Sequence, residues 1–379
     1  MANASATSIP SSGNNVPAER PPSGVGPVAW ARKNLFSSIP NTLLTLLGLW
    51  ITWKVVAGIV DWAIVRAVFT GSDGTACSAP GTGACWPFIT HKLDTFIYGR
   101  YPVDERWRVN LTFLLAAIGL GGLMIPSVPR KGLFALFTFV IFPVIAFYLL
   151  TGAVWLGLPI VETERWGGLF VTLVVAIVGI VASFPIGVLL ALGRRSRLPF
   201  VRWASIGFIE LVRGVPLITM LFMASVMLPL FLPEGVTFDK LLRALIGVAL
   251  FSGAHLAEVI RGGLQAIPRG QYEAADALGL SYPQKMSLIV LPQALKLVIP
   301  GIVNSSIALF KDTSLVLIIG LFDLLGIVQQ AISSDATWFS PSTPATGYVF
   351  AGFVFWIFCF GMSRYSQWME RRLGAADKR

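Results

Sequence analysis

The chain has 379 residues, 55% hydrophobic and only 13% charged. A soluble domain carries roughly twice that charged fraction, so one aqueous core is excluded and most of the chain is expected in lipid. The net charge of +10 is not read as a nucleic-acid footprint, because the Lys and Arg sit in short loops beside apolar segments, where they set topology.

Residues 1–40 are rich in Ser, Pro, Gly and Asn and hold no apolar run of signal-peptide length. They read as a disordered polar tail retained in the cytoplasm. Eight apolar segments long enough to cross a bilayer follow, near 43–69, 109–128, 133–157, 167–192, 213–232, 241–260, 294–320 and 346–364. No strand-like alternation appears, which excludes a β-barrel. The expected fold is therefore an all-α polytopic membrane protein.

Loop charges orient these spans. Arg32 and Lys33 precede the first, Arg130 and Lys131 follow the second, and Arg194, Arg195, Arg197 and Arg202 follow the fourth. Arg261 and Arg269 follow the sixth, and Arg364, Arg371 and Arg372 follow the eighth. The bias places both termini in the cytoplasm, together with the 261–293 loop.

Cys77 and Cys85 lie in the first outward loop, where an oxidising compartment permits a disulfide; two unpaired thiols are the alternative. Cys359 falls inside the last apolar segment and reads as packing. His91 and His255, the two histidines, are far apart in sequence, so no metal-ligand cluster is expected, and no cofactor is called for.

The polar stretch 268–292 is the most informative part of the chain. Pro268, Arg269 and Gly270 break the preceding span, and Gln271–Leu278 holds good helix formers, with Glu273 expected in the first turn. Gly279 stands where a left-handed C-terminal cap is expected, and a side chain there is expected to clash or straighten the turn. Ser281 and Gln284 have capping-box spacing, and a second helix from Tyr282 is expected to stop at Pro292. Two short helices joined at a glycine suit a projecting element that follows the motion of a soluble partner. The alternatives are an ordinary interfacial hairpin or a DNA-binding helix-turn-helix, the latter implausible in a loop tethered twice to the bilayer.

Glu273, Ala274, Ala275, Gly279, Ile289, Leu291 and Pro292 together spell EAAxxxGx₉IxLP. That pattern resembles the signature of the membrane subunits of bacterial ATP-binding-cassette importers. Further stretches sharpen the likeness to permeases of the histidine/glutamine/glutamate/arginine type. They are Glu210-Leu-Val-Arg213-Gly214-Val-Pro216, Ala257-Glu258-Val-Ile-Arg261-Gly262-Gly263, Leu291-Pro292-Gln293-Ala294 and Leu309-Phe-Lys311-Asp312-Thr313-Ser314-Leu315. Val215 stands where that family more often has threonine.

The resemblance implies a five-span permease core over 161–379, with a cytoplasmic coupling-helix loop. Ahead of it stands an extension of three spans over 41–160, like that of the larger permeases of general L-amino-acid importers or of a glutamate/glutamine/aspartate importer. It further implies a soluble ABC ATPase dimer, a second and unlike permease subunit, and a periplasmic amino-acid-binding protein. The location implied is the bacterial inner membrane. No GxxxxGK[ST] occurs in the chain, so ATP chemistry is expected in a partner rather than here.

The residues carry their own physics. Glu210 and Arg213, and likewise Glu258 and Arg261, are three apart and share a helix face, able to pair. Glu258 and Arg261 lead into the loop and read as bracing it; for Glu210 and Arg213 an ion pair at the lipid interface is at least as good a reading. Lys311 and Asp312 lie about 28 Å along a helix if it is continuous from Pro292. With Asn304, Ser305, Ser306, Thr313 and Ser314 they either line a path for a zwitterionic amino acid or clamp neighbouring spans. An ion-coupled secondary transporter, a membrane scaffold or sensor, and a channel are the rival functions.

Overall fold

The structure, a computed structural model, describes residues 26–233 and 238–376; residues 1–25 of the expected tail lie outside the described residues. The chain divides into two compact units, Met1–Val65 and Arg66–Arg379.

The first unit holds α1 (Pro27–Asn34) and α2 (Ile39–Val60), the latter prolonged by a π turn over Asp61–Val65. α1 falls inside the stretch expected to be disordered. Pro27 presets the first helical φ, and Arg32 and Lys33 sit in the last turn, where cations suit the helix dipole.

The second unit contains α3 (Trp86–Tyr98), α4 (Arg106–Met124), α5 (Lys131–Leu136), α6 (Phe142–Thr151), α7 (Gly168–Arg194), α8 (Pro199–Arg213) and α9 (Leu217–Phe222). It continues with α10 (Lys240–Ala266), α11 (Arg269–Ala277), α12 (Tyr282–Gln284), α13 (Leu291–Leu297), α14 (Ile299–Asp312), α15 (Leu324–Ser334) and α16 (Thr343–Ala376). A π turn at Phe137–Ile141 joins α5 and α6 into one span. Among the described residues seven helices are long and apolar enough to cross a membrane, and eight if the bent pair α8–α9 is one span.

That bent pair corrects the span expected at 213–232. The helix is already formed from Pro199, and the chain turns by 107° between α8 and the segment Leu217–Phe231. Pro216 disfavours helical backbone at Val215, so the Gly214-Val215-Pro216 step is a corner rather than a span entrance. The span expected at 294–320 also starts later. Val298 leaves helical geometry at φ −103° and ψ 9°, and α14 restarts with Pro300 in its first turn.

Two helices between spans were not expected. α3 is amphipathic and buries Phe88, Ile89 and Phe96. The Phe88 ring meets Phe96 edge-on at 5.5 Å and lies 6.1 Å from Trp338. α15 is capped by Asp323, which accepts from the backbone N–H of Gly326 at 2.9 Å and of Leu325 at 3.2 Å. Lys92 of α3 pairs with Asp335 at the end of α15. The hydrogen bond from Lys92 holds the Asp335 carboxyl below its usual pKa.

The core is built on α7 against α10, where small residues let the backbones approach. A Cβ on Gly187 would lie 3.0 Å from Leu256 Cβ and 3.2 Å from the Gly253 carbonyl. α14 joins α16 through Phe310, whose ring lies 5.4 Å from Phe355 and 5.3 Å from Phe358.

Residues 66–160 pack into this same unit. Tyr101, Val109, Leu150 and Val161 share one apolar cluster with Phe170, Val175, Leu221 and Val248. Arg108 is fully buried, paired with Glu105 at 2.8 Å and donating to the Pro159 carbonyl at 3.0 Å. The sulfurs of Cys77 and Cys85 are joined. The Cys85 N–H donates to Thr346 at 2.8 Å, and the Ser342 hydroxyl donates to the Cys77 carbonyl at 3.3 Å. The disulfide loop is thereby fastened to the start of α16.

Candidate docking loop and the charged cluster behind it

The loop between α10 and α14 starts where Pro268 closes α10 and opens α11. α11 begins at Arg269, two residues before the expected start, so Glu273 lies mid-helix rather than in the first turn. Its buried face holds Ala275, while Glu273, Ala274, Ala277 and Leu278 point outward, Leu278 being 74% exposed. Glu273 has no partner among the described residues.

The end of α11 is a full Schellman motif. The Leu280 N–H donates to the Ala275 carbonyl at 3.2 Å and the Gly279 N–H to Asp276 at 3.0 Å. Gly279 has φ +69°, a conformation that L side chains disfavour. A Cβ there would meet nothing within 4 Å. This corrects the expected clash: the demand for glycine comes from the backbone angle, not from space.

α12 opens with the Gln284 side chain accepting from the Ser281 N–H at 3.0 Å, the reach-back half of a capping box. The helix does not stop at Pro292. A π turn over Lys285–Val290 precedes α13, and Pro292 sits in that helix's first turn. The wider turn absorbs the hydrogen bond that proline cannot donate. Lys285 pairs with Asp276 and Gln293 donates to Gln271 at 3.0 Å, so the two arms of the loop are tied together. Of the remaining motif residues, Ile289 and Leu291 pack on the cluster that includes Ile260, Leu264 and Met286, and Pro292 is exposed.

Tyr272 anchors α11 to the membrane core. Its hydroxyl donates to the Leu264 carbonyl at 3.0 Å and accepts from Arg195 at 3.0 Å, and the same guanidinium lies 5.5 Å from its ring centroid.

Behind the loop, five ionic side chains converge where α7, α8 and α10 meet. Arg194 bridges Glu210 at 2.8 Å and Glu258 at 2.7 Å. Glu258 also holds Arg261 at 2.7 Å and lies 4.0 Å from Arg213. The expected pairing of Glu210 with Arg213 is therefore corrected. Glu210 reaches across to α7, and Arg213 turns toward α10. Sequence reasoning counted Arg194 only as a topology charge; no spacing rule links residues so far apart in sequence.

The polar residues of α14 sort into two groups. The hydroxyls of Ser305, Ser306 and Thr313 donate to carbonyls of their own helix at 3.0, 2.9 and 2.8 Å, and Ser314 bonds the Lys311 carbonyl at 3.0 Å. Asn304 and Lys311 are exposed and stand with Pro300 and Ala308 on one helix face, while Asp312 is half-buried. α14 ends at Asp312 and tightens into a 3₁₀ turn over Thr313–Ile319. The continuous helix from Pro292 that set the 28 Å estimate is thus broken at Val298.

Residues 183–375, which carry this loop and cluster, match the family described as "Binding-protein-dependent transport system inner membrane component". The chain belongs to that family. The inner membrane amino-acid ABC transporter permease protein YhdY of Escherichia coli is 53% identical over 345 residues, covering 91% of this chain and 92% of that protein. The glutamate/glutamine/aspartate/asparagine transport system permease protein BztC of Rhodobacter capsulatus is 40% identical over 422 residues, covering 94% and 96%. The probable glutamine ABC transporter permease protein GlnP of Bacillus subtilis is 36% identical over 178 residues, which is 46% of this chain but 80% of that shorter protein. In family terms the chain is a multi-pass inner membrane permease subunit of the ABC transport class.

Proposed function

We propose that α11 and its Schellman elbow are the surface through which a separate soluble ATPase dimer drives this permease to import L-amino acids. The observation that carries this reading is the geometry of α11. It shows Glu273, Ala274, Ala277 and Leu278 outward, while Tyr272, Asp276 and Gln271 tie it back to α10, Lys285 and α13. A short helix held so rigidly moves with the spans behind it. Force applied to its outer face reaches α7, α8 and α10 through the cluster of Arg194, Glu210, Arg213, Glu258 and Arg261.

The amino-acid cargo rests on the names of YhdY and BztC. The exposed face of Pro300, Asn304, Ala308 and Lys311 supports a second permease subunit across a shared path; that this subunit is a different chain rests on the resemblance to the paired permeases of amino-acid importers. An amide and an ammonium facing lipid are costly, and a partner or a watered passage removes that cost. Asn304, Lys311 and Asp312 line the path; Ser305, Thr313 and Ser314 shape its wall through their helix. A periplasmic binding protein delivers the substrate. Both termini and the α11 loop face the cytoplasm, on the strength of the arginines around 194–202 and 261–269. ATP binding and hydrolysis occur in the partner, and this subunit carries no enzymatic step.

The test is a mild-detergent pull-down of the tagged chain from native membranes, wild type beside Leu278→Arg, with amino-acid uptake measured in the same cells. Recovery of a soluble ATPase with the wild type and its loss with the variant supports the reading. Failure to recover an ATPase with the wild type, or full uptake by the variant, sinks it.

A further inference from the structure

Between the end of α7, the start of α8 and the arms of the loop lies a cavity of about 760 Å³. Its lining is mixed in character: Leu189, Leu192, Leu198, Val201 and Met286 are apolar, while Arg195, Arg197, Lys285, Tyr272 and Tyr282 bring cations and hydroxyls. Asp276 is the carboxylate in the lining, and it is already paired with Lys285. Three cations against one carboxylate leave the cavity positively charged. Arg195 spends its guanidinium partly on Tyr272 and the Leu264 carbonyl. Arg197 is exposed and has no ion pair among the described residues.

The neighbouring helix places this cavity at a membrane surface. On α8, Phe200 (84% exposed), Trp203 (68%) and Leu211 (71%) lie along one face, with the exposed Arg202 on the far side of the helix. An amphipathic helix with an exposed aromatic stripe and flanking arginines lies in the headgroup region of a bilayer. Leu198 and Val201, at its start, also line the cavity, so the cavity borders that layer.

We propose that this cavity is a binding site for an anionic phospholipid. Its phosphate sits between Arg197 and Lys285, with the Tyr282 hydroxyl as a further donor, since that of Tyr272 already donates to the Leu264 carbonyl, and its glycerol and first acyl carbons rest on the leucine side chains. A free phosphate would use only the cationic residues; the apolar ones are what select a lipid. Because Tyr272, Asp276 and Lys285 belong both to this cavity and to the loop, an occupied site stiffens the loop against α7. This inference concerns the chain alone and does not depend on an ATPase partner.

The test uses the full chain, purified and incorporated into nanodiscs of phosphatidylcholine titrated with labelled phosphatidylglycerol. Saturable binding of phosphatidylglycerol is expected. Arg197→Gln, which breaks no contact seen in the structure, is expected to weaken it roughly tenfold, the size of one charge-assisted hydrogen bond, and Arg197→Lys to restore most of it. Equal binding of the two lipids, or an unchanged affinity in Arg197→Gln, overturns the proposal. Inorganic phosphate is added alone in a second arm. If it displaces the labelled lipid at concentrations near its own binding, the ligand is a soluble anion and the lipid assignment fails.

Discussion

Replacing Gly279 by alanine isolates one physical term. The residue has φ +69°, and a Cβ built there meets nothing within 4 Å. Sterics with the rest of the chain therefore contribute nothing, and the cost is that of left-handed backbone for an L residue, about 1–2 kcal/mol. If that strain acts on the loop shape a partner must recognise, the affinity for the ATPase falls by roughly 5- to 30-fold, at 1.36 kcal/mol per tenfold. Asparagine enters this region more readily than alanine, so Gly279→Asn should lose less, and Gly279→Val more. The assay is a binding titration of the purified ATPase against permease in nanodiscs, with uptake alongside. The ranking Gly, Asn, Ala, Val follows if backbone conformation governs. Equal affinity for glycine and alanine, with loss only for bulky residues, would refute the reasoning and assign the glycine to close approach by the partner.

Other consequences concern stability. Substituting Cys77 and Cys85 by serine opens a loop with a sequence separation of 8; the chain-entropy cost is about 2.5 kcal/mol, to be seen as a lower melting temperature that matches reduced wild type. Arg108→Met removes a fully buried guanidinium and leaves Glu105 and the Pro159 carbonyl without their donor, which should cost about 3 kcal/mol in denaturant unfolding. Arg194→Gln should weaken the junction of α7, α8 and α10 by about 1–2 kcal/mol, since Glu258 keeps Arg261; an unchanged melting curve would dismiss the cluster as a brace. Burial pushes the Asp323 carboxyl up to about 6 against backbone N–H bonds that pull it down. The raised value means the folded form favours the proton. Its stabilising contribution is thus full below pH 3.8 and is lost by about pH 6, amounting to at most about 3 kcal/mol. Asp323→Asn keeps the cap acceptor and should remove that slope from melting measured between pH 4 and pH 7.

Much of the loop was legible because its constraints are local. The positions of Pro268, Gly279 and the Ser281–Gln284 pair follow from backbone rules that act within a few residues. Membrane spans were legible for a similar reason, since about 20 apolar residues must be contiguous to cross lipid. α3 and α15 escaped that reading because each is too short to span and earns its helix by burial against the other and against α16. α8 escaped it because its apolar run is interrupted by Arg202 and Glu210, and only the corner at Val215-Pro216 shows that a span has been folded sideways. Pro292 misled in the opposite sense: a proline stops a regular helix, but the π turn before it lets the rod continue.

By itself the sequence determined the class of protein, the number of crossings to within the bent pair, the loop and its glycine, and which loops carry the positive charge. Each depends on composition or on neighbours along the chain. Tertiary structure alone decided that Arg194 bridges Glu210 and Glu258, that Arg213 turns to α10, and that the serines of α14 bond their own backbone. It likewise placed Arg197 and Lys285, far apart in sequence, on the walls of one cavity. These facts depend on which helices pack together and at what rotation, and ridge-and-groove fit across the whole bundle sets that.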